Sequence, residues 1–67
     1  MENLAENLLS LRKQRQLSQA AVAKAVGIGL RAYQNYEYGD RIPPLETAVA
    51  LADLFDVSLD ELVGRKR

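Results

Sequence analysis

The apolar residues of the chain recur every three or four positions, which is the spacing of one face of an α-helix. Leu4, Leu8 and Leu11 show this spacing near the start, and Leu51 and Phe55 show it towards the end. No stretch alternates apolar and polar residues for long, and β-branched residues are few, so strands are not indicated. The pattern predicts an all-α protein with helices over about residues 2–15, 18–26, 30–38, 45–55 and 59–63.

The ends of these helices are marked by residues that cap them. Ser18 is a natural N-cap, because its hydroxyl can accept a hydrogen bond from a free amide of the first turn. Ser58 and Glu61 have the spacing of a capping box, in which each side chain bonds the backbone N–H of the other residue. Gly27 and Gly39 each follow a helix, where a left-handed backbone is common and glycine carries no Cβ penalty.

The connection between the second and third predicted helices is the most informative one. It consists of Gly27-Ile28-Gly29, and Gly29 is the predicted N-cap of the third helix. A turn of about three residues that contains glycine is typical of the helix-turn-helix motif, with its steep crossing angle. With the tight joints elsewhere, it predicts a compact five-helix bundle.

Length and composition exclude several classes of protein. The chain has 67 residues and contains no cysteine and no histidine. It therefore has room for one domain, and it has no disulfide, no thiolate or imidazole zinc site and no Cys or Ser–His nucleophile. No apolar run approaches the ~18 residues of a membrane span, and no signal-peptide pattern opens the sequence. We expect a single cytoplasmic domain over residues 1–67, frayed at 65–67, with no enzymatic activity, cofactor, metal or membrane partner.

The formal net charge is zero, but the charges are unevenly distributed. Residues 10–41 carry six basic and two acidic side chains, whereas residues 42–64 carry five acidic side chains and no basic one. A basic segment followed by an acidic one can present one face to a polyanion and turn another face away from it. Ordinary solvated helix faces explain the same distribution, so charge alone leaves both interpretations open.

Short motifs stand in a fixed order along nearly the whole chain. They are Leu11-Arg12, Leu17-Ser18-Gln19, Val22-Ala23, Gly27-Ile28, Tyr36-Glu37-x-Gly39, Arg41-x-Pro43, Leu51-Ala52 and Val57-Ser58-Leu59-Asp60-x-Leu62. In this order and spacing, the sequence resembles the lambda-repressor/Cro-like, XRE-type helix-turn-helix domains of phage and bacterial transcriptional regulators. The resemblance covers about residues 4–63.

The resemblance implies that the third helix enters the major groove of DNA and that the second lies across the backbone. Gln19 is expected to reach a phosphate. The residues expected to contact DNA are Gln19, Leu30, Arg31, Gln34, Asn35, Tyr38 and Arg41. Among the base-reading positions, arginine suits guanine O6 and N7, asparagine can pair with adenine N6 and N7, and leucine can contact a thymine methyl.

The family pattern also has structural consequences within the domain. It pairs Arg12 with Glu37 in a largely buried ion pair between the first and third helices; the alternative is two charges at the surface. Gln16 stands where the family commonly has glycine, so the turn after the first helix is strained if it requires a positive φ.

Two functions remain open at this stage. One is a sequence-specific regulator of repressor type, bacterial or phage-encoded, that binds double-stranded DNA at an inverted-repeat operator. The other is a protein-interaction module on the same scaffold, such as an antitoxin or an antirepressor. Leu30 on the reading helix and the zero net charge favour a protein partner, whereas DNA is favoured by Gln19, Arg31, Asn35 and Arg41.

A weak homodimer is expected on DNA, because one short recognition helix contacts only a few base pairs. The expected contact is the fifth helix, whose apolar residues exceed what so short a helix can bury against its own small domain. These residues are Leu59, Leu62 and Val63.

Overall fold

The computed structural model describes residues 3–64, which form five α-helices and no strand. The helices are α1 (Leu4–Gln14), α2 (Gln19–Val26), α3 (Leu30–Tyr38), α4 (Leu45–Phe55) and α5 (Leu59–Val63). The predicted all-α bundle is confirmed, and α2 to α5 begin and end within one residue of the predicted bounds. The predicted start of the first helix at residue 2 and the basic tail at 65–67 lie outside the described residues.

Local hydrogen bonds explain where the helices begin. The hydroxyl of Ser18 accepts from the backbone N–H of Ala21 at 3.0 Å. The capping box is also present: the Ser58 N–H donates to the Glu61 carboxylate, and the Glu61 N–H donates to the Ser58 hydroxyl, both at 3.0 Å. The bond from the backbone N–H of Ser58 holds the pKa of Glu61 below its ordinary value. Gly39 ends α3 with a φ of +83°, as its predicted position requires.

Within residues 3–64, two other residues adopt a left-handed backbone without being glycine. Gln16, in the turn between α1 and α2, has a φ of +56°, so glycine would be the less strained residue there. Asp56, which ends α4, has the same φ of +56°. For a residue with a Cβ this conformation is less stable by roughly 1–2 kcal/mol, although aspartate tolerates it better than most residues.

The core is formed by apolar side chains from all five helices. Its largest fully buried side chains are Tyr33, Phe55, Leu8, Leu51, Leu62 and Val22. Because α3 packs against α1 and α2, the side of α3 that carries Tyr33 faces inward and its opposite side faces solvent. The bundle therefore holds the third helix by one face only.

The burial of Leu62 corrects the expected dimer contact. Leu62 is 0% exposed within its own domain, because α5 packs against both α1 and α4. Leu59 and Val63 are half-buried against the same core. Leu62 is therefore not available for a dimer surface, which corrects the expectation for this residue, whereas the dimer contact expected at Leu59 and Val63 stays a prediction.

Two side chains, one on α1 and one just after it, tie this part of the chain to the ends of α4 and α5 in ways that the sequence pattern did not indicate. Asn7 donates to the backbone carbonyls of Glu61 and Leu62, at 3.3 and 3.1 Å. The guanidinium of Arg15 donates to the carbonyl of Phe55 and lies 5.7 Å from the centre of its ring. Both contacts satisfy carbonyls that a helix C-terminus leaves without a partner.

Candidate nucleic-acid interface

The turn between α2 and α3 sets the angle between the two helices. Gly27 has a φ of +76°, and the N–H of Ile28 donates to the carbonyl of Ala23 at 3.0 Å, which closes α2. Gly29 is the N-cap of α3 and offers no side-chain hydrogen bond there. Leu30, the first residue of α3, is exposed beside this turn.

Arg12 and Glu37 form an ion pair between α1 and α3. Two guanidinium nitrogens of Arg12, Nε and a terminal nitrogen, each lie 2.8 Å from a different carboxylate oxygen of Glu37. The side chains are 15% and 2% exposed, so the carboxylate is deeply buried and the guanidinium reaches the edge of the core. The remaining terminal nitrogen of Arg12 donates to the carbonyl of Leu17 at 2.9 Å, which also ties down the turn before α2.

The Glu37 carboxylate accepts two further hydrogen bonds. The Tyr33 hydroxyl donates to one oxygen at 2.5 Å, and Nε2 of Gln19 donates to the other at 3.0 Å. Burial raises the pKa of Glu37, but the bonds from Arg12, Tyr33 and Gln19 outweigh it and hold that pKa below the ordinary value. Burial also raises the pKa of Tyr33, so this hydroxyl remains a donor at neutral pH.

Gln19 connects this buried pair to the exposed side of α3. Besides its bond to Glu37, its Nε2 donates to the Tyr38 hydroxyl at 3.3 Å. Its Oε1 accepts from Nε2 of Gln34 at 3.1 Å. An amide nitrogen has two hydrogens, so both donors of Gln19 are used within the domain. This differs from the free phosphate contact that the resemblance implies for Gln19.

The structure places the other expected contact residues on or beside the outer face of α3. Arg31 is exposed, Leu30 is 44% exposed and Tyr38 is 62% exposed, while Gln34 and Asn35 are partly buried between them. Arg41 follows in the loop and is exposed; its backbone N–H donates to the carbonyl of Asn35 at 3.2 Å. Six of the seven residues thus belong to α3 and the loop after it, and Gln19 bonds two of them, Gln34 and Tyr38, from α2.

Other kinds of site find no support in residues 3–64. No group of three or more carboxylates in this part of the chain is arranged to hold a metal ion. None of the described helices is both long enough and apolar enough to span a membrane.

Acid is expected to destabilise the fold through Glu37. The pKa of Glu37 is lower in the folded chain than its ordinary value of 4.5, so the ionised pair contributes fully above about pH 4.5. That contribution is lost as the pH falls through the lower folded pKa, because the unfolded chain then binds protons more readily. Urea unfolding measured from pH 7 down to acid should show this loss.

Two variants separate Glu37 from other carboxylates in this experiment. Arg12→Met/Glu37→Leu lacks the group and should lose less stability on acidification than the unmodified chain. Glu61→Gln removes the capping carboxylate, whose pKa is also lowered, and should leave most of the dependence in place. An identical pH dependence in the double variant and the unmodified chain would show that Glu37 does not carry it.

Comparison with known proteins gives one consistent result. A helix-turn-helix family model matches residues 8–62. The chain is 40% identical over 62 residues to the cryptic phage CTXphi transcriptional repressor RstR of Vibrio cholerae, covering 92% of this chain and 55% of that protein. It is 44% identical over 62 residues to the HTH-type transcriptional regulator AnsR of Bacillus subtilis, covering 92% of this chain and 53% of that protein.

A solved structure agrees with these sequence relatives. The crystal structure of a transcriptional regulator from Listeria innocua matches with a TM-score of 0.88 and 34% sequence identity, over 96% of this chain and 60% of that one. The chain spans about half the length of the curated relatives it matches.

Proposed function

The chain belongs to the helix-turn-helix family, and from this premise we propose that it binds double-stranded DNA sequence-specifically, as a transcriptional regulator of repressor type. In this proposal α3 enters the major groove and α2 lies across the phosphate backbone. The relatives named as a transcriptional repressor and a transcriptional regulator support this role.

The observation that carries the proposal is the division of α3 into two faces. The inner face is fixed by Tyr33 and Glu37, which are 0% and 6% exposed. The outer face presents Arg31 and the half-buried Asn35, which are four residues apart and project in the same direction. An arginine fork suits the O6 and N7 acceptors of guanine, and an asparagine amide suits adenine N6 and N7. A rigidly held helix with such a face can distinguish base pairs.

The hydrogen bonds of Gln19 give it a positioning role in this proposal. With both of its donors bound to Glu37 and Tyr38, it orients the Gln34 amide and the Tyr38 hydroxyl rather than reaching a phosphate itself. Tyr38 accepts from Gln19, so its own proton is free to donate to a phosphate oxygen. In this proposal Arg41, which is exposed in the loop after α3, supplies the positive charge that the phosphate backbone attracts.

A protein partner is the second candidate function, favoured by exposed apolar side chains. Leu30 is 44% exposed on the outer face of α3, where it can offer DNA only an apolar contact. An antitoxin-like or antirepressor-like module would use the same face against another protein. Salt separates the two functions, because binding to phosphates weakens steeply as salt rises.

The proposal is tested by selection of binding sites from a random duplex library with the purified chain. We expect an enriched motif a few base pairs long, repeated in inverted order when two chains bind at half-sites about 34 Å apart. Recovery of sequences with no shared motif, under conditions in which the chain remains folded, would contradict sequence-specific binding.

Arg31→Ala is expected to weaken binding to the selected site by roughly 1–3 kcal/mol and to change binding to random DNA little. The reason is that alanine removes a base contact, whereas non-specific binding rests on phosphate contacts. Fluorescence anisotropy with both duplexes measures the difference. Arg31→Lys is the matched control, because it keeps the charge but loses the planar fork. Equal losses on both duplexes after Arg31→Ala would show that Arg31 contacts only phosphate.

A further inference from the structure

A groove beside the contact of α1 with α5 has no part in the proposed DNA-binding face. This α1–α5 groove has a volume of about 170 Å³ and is lined by Asn7, Ser10, Leu11, Val57 and Glu61. None of these residues belongs to α2 or α3, so the groove shares no residue with the proposed DNA contacts. Because a cavity of about 150 Å³ can hold benzene, the groove has room for one side chain of a partner.

The α1–α5 groove combines apolar surface with hydrogen-bond acceptors. Leu11 and Val57 are partly buried against the core and supply the apolar surface. Asn7 donates its amide hydrogens to two backbone carbonyls at the end of α5, so its amide oxygen is what it can offer a ligand. The N–H of Ser58 donates to one carboxylate oxygen of Glu61, which leaves the other oxygen for a ligand. A ligand that fits therefore carries hydrogen-bond donors on an apolar stem.

The charge of the groove is negative. Glu61 is exposed and lines the groove, and no basic residue lines it. The bases at the end of the first helix and in the turn after it, Lys13 and Arg15, are not among the lining residues, and the Arg15 guanidinium donates to the carbonyl of Phe55. Residues 42–64 as a whole carry five acidic side chains and no basic one. Negative charge repels DNA phosphates and attracts a basic ligand.

We propose that the α1–α5 groove binds an arginine side chain from a basic segment of another protein. The apolar stem of an arginine can lie against Leu11 and Val57 while its charged head stays in water at the edge of the groove. Its planar guanidinium matches the geometry of a carboxylate and carries its charge at every ordinary pH, so it suits Glu61. The capping box already holds this carboxylate in place, so little freedom of the Glu61 side chain is lost on binding.

A protein segment fits the groove better than a free small molecule. The groove is open to solvent and takes only one side chain, so a small ligand gains little from it. The further bases of a segment can meet the exposed carboxylate of Asp56, the residue before Val57. Because the groove and α3 have no residue in common, such a partner can bind the chain whether or not DNA is bound.

Titration of the isotope-labelled chain with a short peptide, followed by NMR in the absence of DNA, tests the inference. The probe is an alanine peptide with adjacent central arginines and blocked ends, and the matched control peptide has neutral citrulline in place of each arginine. The arginine peptide is expected to shift the amide signals of the residues that line the groove, and to bind more tightly than the citrulline peptide by roughly fivefold. Free argininamide should bind more weakly than the arginine peptide.

Two variants test the groove itself. Glu61→Gln removes the charge but keeps a side chain that suits the capping box, and it should weaken binding of the arginine peptide by roughly fivefold. Ser10→Trp fills the groove from an exposed position and should abolish the shifts. Glu46→Gln is the matched control, because it removes an exposed carboxylate in the first turn of α4, outside the groove, and it should bind like the unmodified chain. Circular dichroism establishes that all variants are folded.

Several results would overturn the inference. Equal affinity for the arginine and citrulline peptides, or binding unchanged by Glu61→Gln or by Ser10→Trp, would show that the groove does not recognise an arginine. Equal affinity for argininamide and the arginine peptide would point to a free small molecule as the ligand. Shifts of the groove signals on concentration of the chain alone would show that a second copy occupies it. Because no DNA is present, each result is independent of whether the chain binds DNA.

Discussion

Arg12→Met is expected to lower the free energy of unfolding by about 3–5 kcal/mol, the loss typical when one partner of a buried ion pair is removed. Glu37 is 2% exposed at its side chain, so its charge would remain in the core without the two 2.8 Å bonds from Arg12. The carbonyl of Leu17 would lose its bond as well. Urea unfolding followed by circular dichroism measures the loss.

Removing both charges is expected to cost less than removing one. Arg12→Met/Glu37→Leu should recover much of the stability, because an apolar pair of similar volume leaves no uncompensated charge. The Tyr33 hydroxyl would still be buried without its acceptor, so adding Tyr33→Phe should recover more. If Arg12→Met alone unfolds at the same urea concentration as the unmodified chain, the pair does not support the fold.

Leu62→Ala is expected to lower the free energy of unfolding by about 2–5 kcal/mol, the range for a buried leucine whose removal leaves a cavity. Leu62 is fully buried where α5 meets α1 and α4, although its helix has only five residues. The same substitution at Leu59, which is half-buried, should cost less. Thermal and urea unfolding of both variants give the comparison.

Comparison of Leu62→Ala with Leu59→Ala shows whether α5 packs against its own domain or leaves its apolar residues free for a partner. An equal, small effect of Leu62→Ala and Leu59→Ala would indicate that α5 does not dock as described and that its apolar residues are free for a partner. A large effect at Leu62 alone agrees with its burial. It also explains why a charged residue at this position would unfold the chain instead of separating a dimer.

The helix boundaries could be predicted from the sequence because their signals are local. Ser18, Gly39 and the Ser58–Glu61 box each act within a few residues of themselves, and each ends or begins a helix where expected. The sequence predicts strain at Gln16 if the turn after the first helix requires a positive φ, and Gln16 does have a φ of +56°.

Contacts between distant segments could not be predicted in the same way. Asn7 and Arg15 cap α5 and α4 across 40 or more residues of sequence, and a polar residue on a helix surface gives no sign of such a partner. The periodicity of α5 likewise cannot separate Leu59 from Leu62, because a helix of five residues makes little more than one turn. Only the packing of α1 and α4 decides which leucine is buried.

The candidate site was predictable in outline only. The family pattern pairs Arg12 with Glu37 and places the contact residues on α3, and the structure brings Arg12 and Glu37 into contact. The family pattern could not show that Gln19 bonds Glu37, Tyr38 and Gln34, because these bonds depend on the rotamers of four side chains packed together. The difference changes the proposed role of Gln19 from a phosphate contact to a positioning residue.

The central claim, sequence-specific binding to duplex DNA, is tested most directly by equilibrium binding across salt concentrations. The selected site and a shuffled duplex of the same length and composition are titrated with the unmodified chain. We expect the affinity for both duplexes to fall steeply as salt rises, and the selected site to be preferred by more than tenfold, about 1.4 kcal/mol. Equal affinity for the two duplexes at every salt concentration, or no dependence on salt, would contradict it.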